Sequence, residues 1–212
     1  GGGPSRGGRG GSSSSSSSSS SGSGGQGNSG RTGNNSHNRG GRSRGGRDPL
    51  AQTFTAHDNM FLSSVEIYFA EKDDQIPVVV QLRTVELGTP TIYLASDFAE
   101  VILDPTAIDS NGDSIVKTST DASLPTKVTF PSPVYLEEGL EYAIVVLAPA
   151  TLKYKVWISQ MNDETIETQT LGADQGSRNI VSRQYLGGSL FKSQNGRVWT
   201  AVQTQDLKFN IY

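Results

Sequence analysis

TKVTFPSPVYLEEGLEYAIVV, residues 126–146, is the stretch on which the fold class turns. Val128 and Phe130 alternate with polar neighbours, as in a strand with one buried face. Pro131 and Pro133 have no N–H to donate, so the ladder is expected to end there. Glu137, Glu138 and Gly139 then supply the turn. From Ala143 to Ala148 every position is apolar, which marks a central strand covered on both faces, by an opposing sheet and a loop. The stretch reads as two strands around a corner.

Alternation of period two recurs outward from this corner, and no stretch holds a helical period over ten or more residues. In FLSSVEIYFA the residues Phe61, Val65, Ile67 and Phe69 are expected to share one face, with Ser64, Glu66 and Tyr68 on the other. PVVVQLRT places Val78, Val80 and Leu82 inward and Gln81 and Arg83 outward. Further strands are expected at AEVILD, SIVKT, YKVWISQ, RVWTA and DLKFNIY. Their spacing, punctuated by Pro, Asp and Gly, predicts an all-β fold, an antiparallel β-sandwich or jelly-roll-like domain.

The body is expected over residues 48–162, with 163–212 as an extended arm plus terminal strands. Residues 1–47 differ in kind. They include ten consecutive serines, Ser12–Ser21, and no Phe, Trp, Tyr, Leu, Ile or Val. Such a segment cannot bury enough apolar surface to offset the entropy of ordering it, so it reads as a disordered Gly/Ser/Arg linker or arm. It carries seven arginines and no acid, +7, whereas the remaining 11 basic and 21 acidic residues give −10. A basic arm on an acidic body suits polyanions, a neighbour's acidic surface or its own domain. The start on Gly1 and the stop at Tyr212 suggest a piece of a longer polypeptide.

Without cysteine there is neither a disulfide framework nor a thiolate metal site. No apolar run approaches the roughly 20 residues of a membrane span, so none is expected, and these residues do not read as a signal peptide.

Candidate chemistry is sparse. A histidine base has only His37 and His57 to draw on, and His57 reads as a loop residue beside Asp58. The carboxylate pairs Asp73 with Asp74 and Glu137 with Glu138 fall in turns, where nothing raises a pKa for general-acid work. Asp109 to Asp113, DSNGD, offers alternating oxygen ligands, but its Gly112 is fourth where an EF-hand loop needs glycine sixth, so a hairpin turn is preferred to calcium. SQNGRVW, from Ser193 to Trp199, reads as a second Asn-Gly hairpin. RGG triplets at Arg6, Arg9, Arg39 and Arg44 could track nucleic acid, yet no aromatic residue accompanies them. Tyr68, Tyr93, Tyr135, Tyr154 and Trp157 are candidates for a sugar platform.

Several stretches in order carry a resemblance: DPLAQTF, MFLSSVEIYFAEKD, IPVVVQLR, SLPTKVTFPSPVYLEEGLEYAIVV, YKVWISQM and YLGGSLFKSQNGRVWTAVQTQDLKF. They cover most of residues 48–212. This body resembles a module of virion structural proteins from contractile-tailed bacteriophages, of the T-even-like and cyanophage-like kind. The resemblance implies a β-sandwich unit of a baseplate or tail-fibre-associated polypeptide in the virion, with other tail subunits as partners in a homo- or hetero-oligomeric assembly. It brings no catalytic motif, metal or cofactor. The expected function is therefore structural and non-enzymatic. The alternatives are a host-surface glycan module and, less favoured, nucleic-acid binding through the arm. The expected assembly contacts are Arg39, Arg42, Arg44 and Arg47 at the arm's root, and Leu190, Phe191 and Trp199 in the late region.

Overall fold

A computed structural model describes residues 49–163, 181–182 and 185–212. Their strands are β1 (Leu50–Thr55), β2 (Met60–Ile67), β3 (Phe69–Glu71), β4 (Val78–Glu86), β5 (Thr89–Leu94), β6 (Glu100–Leu103) and β7 (Thr126–Leu136). The later ones are β8 (Glu141–Leu147), β9 (Lys155–Val156), β10 (Ile158–Gln160), β11 (Leu190–Ser193), β12 (Trp199–Val202), β13 (Gln205–Leu207) and β14 (Phe209–Ile211). No helix occurs among the described residues, and every ladder between named strands is antiparallel. The fold is the expected all-β sandwich.

The larger sheet runs β12-β11-β1-β8-β4, and the far edge of β4 is shared by β6 along Val78–Gln81 and β5 beyond it. A three-stranded sheet, β14-β2-β7, and two short ladders, β10-β13 and β3-β9, make the rest. Phe54, Val80, Leu82 and Ile144 of the larger sheet share one core with Leu62, Val65, Ile67, Val128 and Leu136. Burying each such side chain contributes about 1.5–3 kcal/mol. Strand β8 is covered on both faces, as its sequence requires. Tyr142, Ile144 and Val146 enter this core, while Ala143 and Val145 join Ala51 and Phe191 in a second cluster on the sheet's other face.

The opening corner differs from expectation in one respect. Strand β7 runs straight through Pro131 and Pro133 to Leu136. The prolines break the ladder, not the strand: pairing with β2 jumps from Leu62↔Val134 to Ser64↔Thr129. Where a proline has no N–H to give, the partner strand needs none. After Gly139, held at φ 80°, the chain crosses into the other sheet as β8.

The same irregularity corrects the reading of FLSSVEIYFA. A bulge between Leu62 and Ser64 changes the phase of the alternation, so Leu62 and Val65 both face the core and Phe61 is left 68% exposed. SIVKT forms no strand. Its ends make isolated bridges instead, Ile108↔Ser114 and Phe69↔Thr118. The hairpin of β4 and β5, with β5 over Thr89–Leu94, had no counterpart in the sequence reading.

The late strands are woven into the sandwich: β11 pairs with β1, β13 with β10 and β14 with β2. The described part of 163–212 is therefore structural core as well as connection. Gln52, fully buried in β1, secures this: its Oε1 accepts from the Leu207 amide at 2.8 Å, and its Nε2 donates to the Thr53 carbonyl at 3.2 Å. A buried amide left unpaired would cost more than these bonds contribute.

Three chain segments meet in a cyclic exchange. Residues 60–71 pair with 155–156 through β3 and with 209–211 through β2; residues 158–160 pair with 205–207. Each segment changes partner at a single residue, Tyr68, Trp157 or Lys208. The Trp157 amide donates to the Tyr68 carbonyl at 2.8 Å, and the Lys208 amide to the Trp157 carbonyl at 3.0 Å. The Lys208 ammonium lies 4.3 Å from the Tyr68 ring centroid and donates to the Ala122 carbonyl at 2.8 Å. Trp157 Nε1 donates to the Ser119 carbonyl at 3.0 Å, so one loop caps the exchange.

Two local features generate predictions. The β4–β5 hairpin turns through Leu87 at φ 51° and Gly88 at φ 71°, a pair of left-handed residues that favours Asn-Gly. Leu87 is wholly exposed, so Leu87→Asn removes no packing and is expected to raise stability by about 0.5–1 kcal/mol in urea unfolding. Separately, the hydroxyl of Thr151 and the amides of Gln75 and Ile76 hydrogen-bond the Asp73 carboxylate, and Lys153 adds its charge. Together they hold its pKa well below the usual carboxylate range. A depressed folded pKa contributes stability above the unfolded value and loses it as pH falls. Thr151→Val is therefore expected to weaken the dependence of the urea midpoint on pH below about pH 4.

Candidate functional site

The outer face of the larger sheet carries a groove of about 740 Å³. Its floor is the outward row of β4, Val79, Gln81 and Arg83, with Glu100 of β6 beside it. Ile92 of β5, Leu147 of β8 and the turn at 194–197 also line it. That turn is tightly made. Ser193 Oγ accepts from the Gly196 amide at 2.9 Å, and Asn195 Oδ1 accepts from the amides of Arg197 and Val198, each at 2.9 Å. Gly196, at φ 71°, is buried against Pro49 and Leu147.

Arg83 is 7% exposed, although strand alternation alone makes it an outward residue. The 194–197 turn accounts for this: Arg83 Nη1 donates to the Gly196 carbonyl at 2.9 Å and to the Thr91 carbonyl at 3.3 Å, and Nε donates to Gln81 Oε1 at 2.7 Å. Gln81 in turn donates through Nε2 to Glu100 Oε2. Among the described residues, Glu100 is the carboxylate bonded into this series, and it is held through the Gln81 amide. Nη2 of Arg83 and Oε1 of Glu100 have no hydrogen-bond partner among the described residues. Burial lowers the guanidinium pKa, partly offset by the charge of Glu100. The arrangement places hydrogen-bonding donors and an acceptor along one groove floor.

Two other surfaces stand out. On the outer side of the three-stranded sheet the cross-strand pair Phe61 and Tyr135 lies with ring centroids 5.3 Å apart. Tyr135 is 51% exposed, and its hydroxyl donates to Asn59 Oδ1 at 3.0 Å. Along the free side of the larger sheet, β5, β6 and their connection expose Ile92, Tyr93, Phe98 and Ile102, the last at 62%.

Of the five aromatic residues proposed for a sugar platform, Tyr93 and Tyr135 are on the surface. Tyr68, Tyr154 and Trp157 are buried. Tyr68 and Trp157 belong to the strand exchange, and Tyr154 stacks edge-on with Phe69 and donates to the Ile76 carbonyl at 2.6 Å. Burial, reinforced by Asp73, Asp104 and Asp74, pushes its pKa up to about 12. Phe61 was missed as a surface aromatic because the extra residues of the irregularity lie in the partner strand β7, between Thr129 and Val134, and nothing in FLSS itself announces it.

The expected contact residues divide. Arg39, Arg42, Arg44 and Arg47 lie outside the described residues. Leu190 and Phe191 are spent on the chain's own packing, since β11 is an inner strand between β1 and β12: Leu190 enters the main core and Phe191 the second cluster. So buried, they have little surface of their own to offer a neighbour. Trp199 packs on the second cluster and keeps part of its surface open, with its Nε1 buried and unbonded.

His57 is exposed in the turn after β1, and Glu137 and Glu138 are exposed in the turn before β8. Asp73, expected to be solvated, is instead buried and hydrogen-bonded. In DSNGD, Asp109 Oδ1 accepts from the amides of Asn111 at 2.9 Å and Asp113 at 3.1 Å, and Oδ2 lies 3.4 Å from Lys117 Nζ. Its oxygens cap the turn, which is the hairpin reading.

No family model matches the chain, and no curated protein matches it. Among the described residues, no helix is long and apolar enough to cross a membrane.

Arg83 is the keystone of the groove floor. Arg83→Met keeps most of the side-chain length but strands the carbonyls of Gly196 and Thr91, and is expected to cost about 1–3 kcal/mol in urea unfolding. An unchanged midpoint would mean that the turn does not depend on the guanidinium.

Proposed function

We propose that the chain is a non-enzymatic structural module, the mounting unit of a larger assembly of the tailed-phage virion type, in a baseplate or beside a tail fibre. The observation that carries this reading is the free side of the larger sheet. Strand β5 has no charged residue and β6 only Glu100, yet both end the sheet, and Ile92, Tyr93, Phe98 and Ile102 project there into solvent. Sheet edges that stay unpaired are generally protected by charge, proline, bulges or a covering segment; β5 has Pro90 and an irregular register with β4, whereas charge is limited to Glu100. An apolar edge of this kind suits a neighbouring subunit, and the rigid two-sheet body behind it suits a mount. The phage assignment itself rests on the sequence resemblance.

A second reading, a glycan-binding module, is favoured by the exposed Phe61–Tyr135 pair, whose rings offer an apolar face beside the Asn59 amide. Tyr135→Ala with Phe61→Ala discriminates the two, because it removes a sugar platform and leaves the β5–β6 edge intact.

The assembly reading predicts that peptides from 49–212 appear in mass spectra of purified particles together with other tail polypeptides. It further predicts that Phe98→Ser with Ile102→Lys lowers incorporation several-fold without lowering the melting temperature of the free chain. Recovery only as a free species of 22.5 kDa would sink it.

A further inference from the structure

We infer that the Arg83 groove is a binding site for an acidic sugar, whose carboxylate pairs with the free Nη2 of Arg83 and whose hydroxyls donate to Glu100. This does not depend on the assembly reading.

A guanidinium that is nine-tenths buried must have its donors matched, because an unpaired buried cation is costly. Three of its matches are internal, Gln81 Oε1 and the carbonyls of Gly196 and Thr91. The remaining nitrogen, Nη2, has no partner among the described residues, yet the buried unpaired side-chain atom there is Trp199 Nε1; Nη2 opens to solvent, where a ligand can replace water. Arg197 adds a second positive charge on the rim. The local balance of Arg83 and Arg197 against Glu100 is positive on a body that is otherwise acidic. It selects an anion.

The kind of anion follows from the donor count and the walls. Phosphate and sulfate are recognised by many converging N–H groups, as at helix N-termini or glycine-rich nests. Here no helix is present among the described residues, and the Glu100 carboxylate stands on the same floor, which penalises a dianion. A single carboxylate fits. Glu100 Oε1 then asks for a hydrogen-bond donor on the same ligand, and a hydroxyl supplies it without adding charge. Val79, Ile92 and Leu147 give an apolar surface for the C–H face of a ring, and about 740 Å³ is the size of a small-ligand pocket.

An acidic peptide is less suited. The open edges of β5 and β6 lie at the groove's margin; over β4 and β8 no backbone edge is open, since β4 lies between β8 and the β5–β6 pair and β8 lies between β1 and β4. A peptide laid there would find side chains but no ladder to join.

The test is calorimetric and NMR titration of the full chain with methyl glucuronide, N-acetylneuraminic acid and methyl glucoside. A glucuronate-terminated oligosaccharide separates a glycan end from a free sugar acid as the source. The site predicts saturable binding of at least one acidic sugar below about 10 mM, and binding of the neutral glucoside weaker by about tenfold or more. Arg83→Lys, which replaces the planar fork with a point charge, is expected to weaken acid-sugar binding by about tenfold. Should that variant fail to fold, Ile92→Glu decides. It changes an exposed wall residue and places a like charge in the groove, and is expected to abolish binding with an unchanged melting temperature. The inference is overturned by equal affinity for acid and neutral sugars, or by no saturation below about 10 mM. It is equally overturned if Ile92→Glu leaves binding intact, or if an aspartate-containing tetrapeptide binds more tightly than either acid sugar.

Discussion

The fold depends on the exchange of partners at Tyr68, Trp157 and Lys208. Three segments far apart in sequence, 60–71, 155–160 and 205–211, each pair with the other two, and the changeover takes one residue in each. A backbone that changes partners loses ladder bonds unless its amides are met on the way. The Trp157 and Lys208 amides are met by the carbonyls of Tyr68 and Trp157. Side chains of the same three residues then seal the region, Lys208 over the Tyr68 ring and Trp157 under the loop at Ser119. Closing loops of this length costs entropy, which the ladder bonds and the packing of the three residues offset.

From that closure the functional surfaces follow. Strands β13 and β14 are tied down by the exchange and by Gln52, which fixes where the preceding β11–β12 hairpin can lie. The hairpin's turn is thereby carried over the outer face of the larger sheet, where Gly196 meets Pro49 and accepts from Arg83. The groove exists because a late turn bends over an early strand. On the other side of β4 no comparable segment among the described residues covers β5 and β6, and the apolar edge stays open.

Much of this was legible from periodicity, and its failures have physical causes. Val78, Val80 and Leu82 are inward because strict alternation leaves them no choice, and β8 is central because apolar residues on both of its faces must be buried. Phe61 faces solvent because the register breaks between Leu62 and Ser64, where β7 spends five positions, Thr129 to Val134, against two of β2, and an odd offset reverses the face of everything before it. Pro131 and Pro133 looked like a strand end because donors are missing there, whereas the strand needs donors only where a partner asks for them. Arg83 read as an ordinary outward residue, since no local pattern reports that a turn 113 residues later will cover it. Leu190 and Phe191 looked like contacts of an arm because their strand is short and lies in polar sequence; its two neighbours in the sheet were not visible locally.

The central claim is that the open β5–β6 edge is where this body meets a neighbour. It is tested most directly by hydroxyl-radical footprinting of Ile92, Tyr93, Phe98 and Ile102, compared between the free chain and the native particle. The account predicts strong labelling of all four in the free chain and protection in the particle, with Leu87 at the hairpin tip as an exposed reference on the same sheet. Equal labelling of the four in both states would contradict it.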